Sequence, residues 1–236
     1  MSQYRLGRLD AVRPDSLGTL EDYASGPLPL PAATVTVPNV PYPIDFNDQL
    51  GDCVMAGVAH LIAAWDAEVH ESDPIPNANT VEAEYFKLTG GQDTGLNEQS
   101  VLQTWHTQGL FRRKIAGYAP VEPTDTLSLH RAIEFYGGAM LGIQCPASAQ
   151  QQFAAGEPWT YVPGSPIEGG HCIVALGYDP QYIYCATWGG IAPVTYTFAA
   201  HFLDEAWAVL PKQIVEARKD AYGIDLVSLQ RDLAAL

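Results

Sequence analysis

The sequence predicts an α+β fold, with a mainly helical first half and a second half of short antiparallel strands. Three observations carry that expectation. The run from Asp52 to Trp65 is apolar nearly all round, the pattern of a buried central helix rather than a surface one. From Leu127 onward, β-branched and aromatic runs alternate with glycine, proline and aspartate, as strands and turns do. The 236 residues, 47% hydrophobic and 17% charged, suffice for one globular domain, two-lobed at most, with a sizeable core.

Residues 1–46 hold the proline-dense stretch PLPLPAATVTVPNVPYP. Proline fixes φ and removes a backbone donor, so this segment reads as an extended arm wrapped over the core, with at most one edge strand at Thr34–Val37. Asp52 is the expected N-cap of the central helix. Val81–Leu88 and Glu98–Gln108 read as helices, the second closed by Gly109. Leu127–Tyr136 is helical and is broken by Gly137-Gly138. The runs AMLGIQC, HCIVALGYD, YIYCATWG, VTYTF and AWAVL then read as strands, the last ended by Pro211. The chain divides into an arm (1–46), a main domain (47–210, with lobes of about 47–125 and 126–210) and a helical tail (211–236). In the tail, Leu226, Leu229, Leu233 and Leu236 share one stripe. The simpler expectation docks that stripe on its own domain; the alternative is a protein partner bound through the C-terminal helix.

Charge and cysteine usage exclude several classes. A formal net charge of -15 repels nucleic-acid phosphates and anionic lipid, so neither is an expected partner. No segment approaches the ~20 apolar residues of a membrane span. The N-terminus MSQYRLGRLD lacks the apolar run of a secretory signal, which makes a cytoplasmic location the expectation. Cys53, Cys145, Cys172 and Cys185 are irregularly spaced without a CxxC pair, so neither a disulfide framework nor a metal site is expected, and no cofactor.

The residues with chemistry are Cys53 and His171. A helix N-terminus favours thiolate over thiol, and Cys53 opens the central helix after the polar turn Asn47-Asp48-Gln49. A thiolate nucleophile needs a base within hydrogen-bond reach, and His171, after Glu168-Gly169-Gly170, is the best placed. Lone cysteines in apolar helices are usually core residues, so the pair draws its weight from the surrounding segments.

Those segments resemble the papain-like cysteine peptidases. NDQLGDCVMAG is similar to the family's nucleophile segment, GGHCIVALGYD to its histidine strand, and YIYCATWGG to its Asn-Ser-Trp-Gly segment. GLNEQSVLQTWHTQGL, YGGAMLGIQCP and FLDEAWAVL resemble the helix after the cleft wall, the first strand of the β lobe and the closing strand. The resemblance runs in order from Asn47 to Leu210. It implies a helical lobe and a β-barrel-like lobe with a cleft between them, a peptide or protein substrate, Cys53 as nucleophile and His171 as base. The family's oxyanion-hole glutamine falls on Asn47, with Gln49 as the alternative donor. Its histidine-orienting asparagine falls on Ala186, for which Thr187, Asp179 or a backbone carbonyl could substitute; Trp188 is retained. The long helical propeptide of the family has no counterpart before Cys53. Either the enzyme is born active, or the arm covers the cleft, or there is no activity to restrain.

The leading expectation is therefore a thiol hydrolase cleaving a peptide or amide bond through a Cys53–His171 dyad. The alternative is a catalytically inactive structural or binding protein on the same fold, with a phage or virion component as one form of it. A third reading is a peptidoglycan amidase or endopeptidase, disfavoured by the long interval between Cys53 and His171.

Overall fold

The computed structural model describes residues 4–69, 75–217 and 223–236. Three helices come first: α1 (Cys53–Val69), α2 (Ala78–Leu88) and α3 (Glu98–Thr107). After β1 (Ile115–Pro120) and α4 (Thr126–Tyr136) come β2 (Ala139–Pro146), α5 (Ala147–Ala155), β3 (Ile167–Tyr178), β4 (Tyr182–Thr187) and β5 (Gly190–Thr195). The chain ends with α6 (Tyr196–Phe202), β6 (Leu203–Pro211), α7 (Lys212–Ala217) and α8 (Leu226–Leu233). The six strands form one antiparallel sheet in the order β1-β6-β2-β3-β4-β5. The helical part and the antiparallel sheet are the α+β arrangement that the sequence implies.

α1 is buried on every side from Cys53 to Asp66. It lies close against β3 because Gly57 faces the strand. A Cβ there would stand 3.2 Å from Val174 Cγ2 and 3.3 Å from Cys172 Sγ, so a larger residue would push the helix away. Two other helices start on the side chains that the sequence offers: Asn97 accepts from Ser100 N at the head of α3, and Asp125 from Ser128 N at the head of α4. Gly109 (φ 93°) and Gly137 (φ 72°) end those helices in left-handed conformations.

Several elements differ from expectation. VTYTF is not one strand: Thr195 caps a helix, its side chain accepting from Phe198 N, so β5 ends there and α6 begins. β1 (IAGYAP), where the sequence reading assigns no element, is an edge strand paired with β6, a place where glycine and proline are tolerated. α5 lacks an apolar period and starts straight after Pro146. Thr34–Val37 forms a single bridge, Val35 with Tyr178, rather than a strand. The Asp52 side chain does not cap α1: both carboxylate oxygens are buried without a well-formed hydrogen bond, and burial pushes its pKa up to about 8, against a smaller opposing pull from its own N–H and the Asn47 amide.

The arm packs on the core through Leu17, Leu20 and Tyr23, and Glu21 pairs with Arg131 at 2.8 Å. In the tail, Leu229 and Leu233 of α8 are buried against β1 at Gly117, whose Cβ would meet Leu229 Cδ2 at 3.0 Å. Leu229 and Leu233 of the stripe thus pack on their own domain, while Leu236 at its end is exposed. Residues 218–222 of the tail and 1–3 of the arm lie outside the described residues. Among the described residues no helix is long and apolar enough to cross a membrane.

Candidate active site at the α1–β3 junction

Cys53, the first residue of α1, meets β3 where His171 and Cys172 sit. The Cys172 backbone N–H points at the Cys53 sulfur from 3.5 Å. Asn47, Cys53, Gly57, Cys172, Ala186, Thr187 and Trp188 line one small cavity of about 10 Å³, room for roughly one water. Gln49, by contrast, is exposed and does not line this cavity.

His171 is buried and held on two sides. Its Nε2 is 2.8 Å from Thr187 Oγ1, and its ring stacks on Trp188 at 4.4 Å between centroids. Of the substitutes for the amide that Ala186 lacks, Thr187 is the one that meets the imidazole. Asp179, the other substitute, is engaged elsewhere, accepting from Gln181 N, Tyr182 N and Tyr184 Oη. Trp188 takes an unusual backbone φ of 41°, fixed by its place between β4 and β5 and by the rings packed around it. The other imidazole nitrogen, Nδ1, is buried without a hydrogen-bond partner, so no thiol–imidazole bond is present in this state.

The arm lies over this site. Residues 4–9 run between the helical part and the sheet, directly over Cys53. Gly7 O accepts from Leu96 N (2.9 Å), Leu9 N donates to Leu96 O (2.9 Å), and Arg8 N donates to Gly170 O (3.1 Å). The Gly7 N–H, like that of Cys172, is directed at the Cys53 thiol. Glycine is required at this point: a Cβ on Gly7 would fall 1.9 Å from Gly51 O. Arg5 N donates to Asn47 O (3.0 Å), and the Asn47 side-chain amide reaches Leu50 O (3.1 Å) and Arg5 O (3.5 Å). Tyr4 stacks on the outer face of Trp188 at 4.5 Å, closing the sandwich Tyr4–Trp188–His171.

This burial sets the electrostatics. Loss of solvent pushes the Cys53 thiol up to about 12, despite the two backbone N–H groups that favour its thiolate. Burial, with a smaller push from the Arg8 cation, lowers His171 to about 3. The pair is thus neutral thiol and neutral imidazole. The thiolate expected from the helix N-terminus is absent here because desolvation outweighs the helix dipole, which contributes at most ~2 kcal/mol. All four cysteines are free and buried. Among the described residues no group of histidine, cysteine and carboxylate side chains is arranged to hold a metal.

Sequence reasoning missed Gly7, Arg8, Glu98 and Glu205 as parts of this region. Arg8 has a fully buried side chain, paired with Asp204 and Glu205. The only sequence signal was a glycine inside a polar N-terminal run, and nothing nearby suggested what it packs against.

No family model matches the sequence, and no curated protein does. Solved structures do match by shape. Xylellain, a cysteine protease from Xylella fastidiosa, aligns over 89% of this chain and 97% of its own with a TM-score of 0.67 at 14% identity. Digestive procathepsin L 3 from Tenebrio molitor covers 89% of this chain and 76% of its own (TM-score 0.57, 13% identity). The Carica candamarcensis cysteine protease CMS1MS2, solved with E-64, covers 76% and 99% (TM-score 0.52, 13% identity). With a central buried helix meeting an antiparallel sheet and these structures as its neighbours, the chain has the fold of the papain-like cysteine proteases.

Proposed function

We propose that the protein is a thiol peptidase, with Cys53 as nucleophile and His171 as general base. The observation that carries this reading is the state of His171: Nε2 is held by Thr187, Nδ1 is left without a partner, and the next residue, Cys172, directs its N–H at the Cys53 sulfur. If the Thr187 hydroxyl accepts from Nε2–H, the lone pair lies on Nδ1, where a base for the thiol is needed.

Catalysis then proceeds in balanced steps. The Cys53 thiol proton passes to His171 Nδ1 as the sulfur attacks the substrate carbonyl carbon. The oxyanion is met by the Cys53 N–H, which as the first of α1 has no intrahelical acceptor, and by the Asn47 amide. Collapse breaks the C–N bond, and the leaving amine takes the proton from His171. Water, deprotonated by His171, attacks the thioester, and the returning thiolate recovers its proton. Asn47 fits the donor role better than Gln49: it lines the cavity beside Cys53, and one of its contacts, to Arg5 O, disappears once the arm leaves.

The arm is a non-productive ligand of this cleft. What is directed at the sulfur is the Gly7 N–H, which donates to it. A catalytically inactive binding protein is the second reading, favoured by the complete burial of Cys53 and His171. Labelling with a peptidyl epoxide separates the two. Gly7→Ala cannot seat the arm, and in that variant Cys53 is expected to label stoichiometrically near pH 6, at least about tenfold faster than in the parent chain. His171→Ala in the same background should slow the labelling. A Cys53 that stays inert in Gly7→Ala, with the fold intact, would favour the binding protein.

A further inference from the structure

The chain carries 27 acidic and 12 basic residues, yet Lys87, Arg112 and Arg113 line one open cavity of about 570 Å³. It lies between α2 and the turn that joins α3 to β1, away from Cys53. α3 starts beside Leu96, which pairs with the arm over Cys53, and runs for about 15 Å before it ends at Thr107. The other walls are apolar, at Ile75, Pro76, Ala83 and Phe111, or belong to the start of α2, at Asn77 and Thr80. The positive end of the α2 dipole opens there.

The turn on this cavity is strained. Leu110 and Arg113 exchange both backbone hydrogen bonds (2.9 and 2.8 Å), so Phe111 and Arg112 alone close the hairpin. Both take left-handed φ, 49° and 65°. Asn-Gly or Gly-Gly adopts that shape cheaply, whereas a larger side chain brings its Cβ against the following carbonyl. An aromatic ring and a guanidinium held there against preference point to a use for them. Arg113 is tied to Asp66 and Lys114 to Thr107 O, so these two anchor the turn. Arg112 is exposed on the cavity and has no ion-pair or hydrogen-bond partner among the described residues. Glu84, the one carboxylate among the described lining residues, pairs with Lys87 at 2.7 Å on an exposed face, where such pairs hold weakly.

We propose that this cavity binds a small organic phosphate, with its dianion between Arg112 and Lys87 at the head of α2 and its apolar body against Phe111, Ile75 and Pro76. The guanidinium fork of Arg112 matches two phosphate oxygens, and two cations match the double charge. The net charge of -15 does not oppose this, because screening cuts off exposed charges beyond ~10 Å and the local cluster decides. The site uses none of the groups assigned to peptide cleavage, so it stands whether or not Cys53 is reactive.

Calorimetric titration of the full chain with phenyl phosphate tests this, with inorganic phosphate and benzyl alcohol as the two halves of the ligand. Phenyl phosphate should fill one saturable site. Inorganic phosphate, with no body to bury, should bind at least about fivefold more weakly, and benzyl alcohol not measurably. Arg112→Gln should weaken phenyl phosphate at least about tenfold, the loss expected for hydrogen bonds to a charged group, and Lys87→Gln about threefold. Arg231→Gln, which removes an exposed cation of α8 paired with Asp232, is the control and should change nothing. Glu71→Gln with Asp73→Asn removes the two carboxylates next in sequence to Ile75 and should not weaken binding. Phe111→Asn with Arg112→Gly relaxes the turn, so that variant should raise the urea midpoint and lose the ligand. Four results overturn the proposal: no saturable site in the parent, equal affinity for phenyl phosphate and inorganic phosphate, Arg112→Gln within about twofold of the parent, or an Asn-Gly turn that still binds.

Discussion

At the scale of single residues, the site turns on Thr187. A papain-like histidine is commonly steadied by an amide; here a hydroxyl one residue further along β4 reaches Nε2 at 2.8 Å. A hydroxyl is neutral and short, so its loss should cost less than the ~10⁴ in rate seen when a charged orienting group is removed. Thr187→Val keeps the shape and deletes the hydrogen bond. We expect kcat of the arm-released enzyme to fall on the order of tenfold to a hundredfold, about 1.4–2.7 kcal/mol, with KM little changed and Thr187→Ser restoring most of it. An unchanged kcat would remove Thr187 from the mechanism. Ala186→Asn, which the sequence suggests as a way to restore the family's amide, has the opposite outlook. Ala186 is buried on a cavity of about 10 Å³, too small for a side-chain amide. Overpacking of about 1–3 kcal/mol should follow, read as a lower denaturation midpoint without a gain in activity. The difference between these neighbours was only half legible in the sequence. Thr187 was one of three substitutes, and only the β3–β4 register, with Val174 opposite Ala186, decides which side chain meets the imidazole.

At the scale of elements, legibility followed periodicity and punctuation. α1 stood out because fourteen successive positions bury without a polar stripe, and α4 because Gly137-Gly138 ends it sharply. The missed elements break those rules for physical reasons. β1 tolerates Gly117 because α8 supplies the packing that a side chain would have given, with Leu229 seated directly against it. The arm was legible as an extended wrapper, with cover of the cleft as one of three alternatives; which residues enter was not, since their fit depends on backbone ladders to Leu96 and Gly170 that lie far away in sequence. The α8–β1 contact carries its own prediction. Leu229 is completely buried on a helix of only eight residues, too short to persist without packing. Leu229→Ala should destabilise the chain by about 2–4 kcal/mol through lost burial and the cavity left behind. The readout is the urea midpoint, with exposed Val227→Ala as control. A loss below about 0.5 kcal/mol would mean that α8 is not docked in solution.

For the whole molecule, the buried ionisable groups predict how stability depends on pH. His60 and His171 have pKa values lowered to about 4 and about 3 by burial, so the folded chain holds them neutral. Below about pH 6.5 the unfolded chain binds protons that the folded one does not, and stability from this source falls as pH drops. Asp45 and Asp52 act in the opposite sense. Burial raises them to about 7 and about 8, so the folded chain keeps both protonated while the unfolded one releases its protons near pH 4. Their contribution is complete below the unfolded value and is lost as pH rises through 7 and 8. Between pH 4 and 6.5 the two sets oppose each other and partly cancel. Above 6.5 the histidines no longer contribute, and the aspartates bend the curve downward, in the same sense as the buried Glu98, whose carboxyl is also raised. With one proton per group and 1.36 kcal/mol per pH unit, the two aspartates should remove roughly 2.7 kcal/mol between pH 6.5 and 8.5. Asp52→Asn isolates the effect. The amide keeps the shape of the protonated acid at the head of α1 but cannot titrate, so the stability of that variant relative to the parent should rise by about 2.5 kcal/mol between pH 6 and pH 8.5. Urea midpoints at the two pH values measure this directly, and parallel curves for parent and variant would show that Asp52 is already ionised in the folded protein, with water or a cation reaching the turn before Cys53.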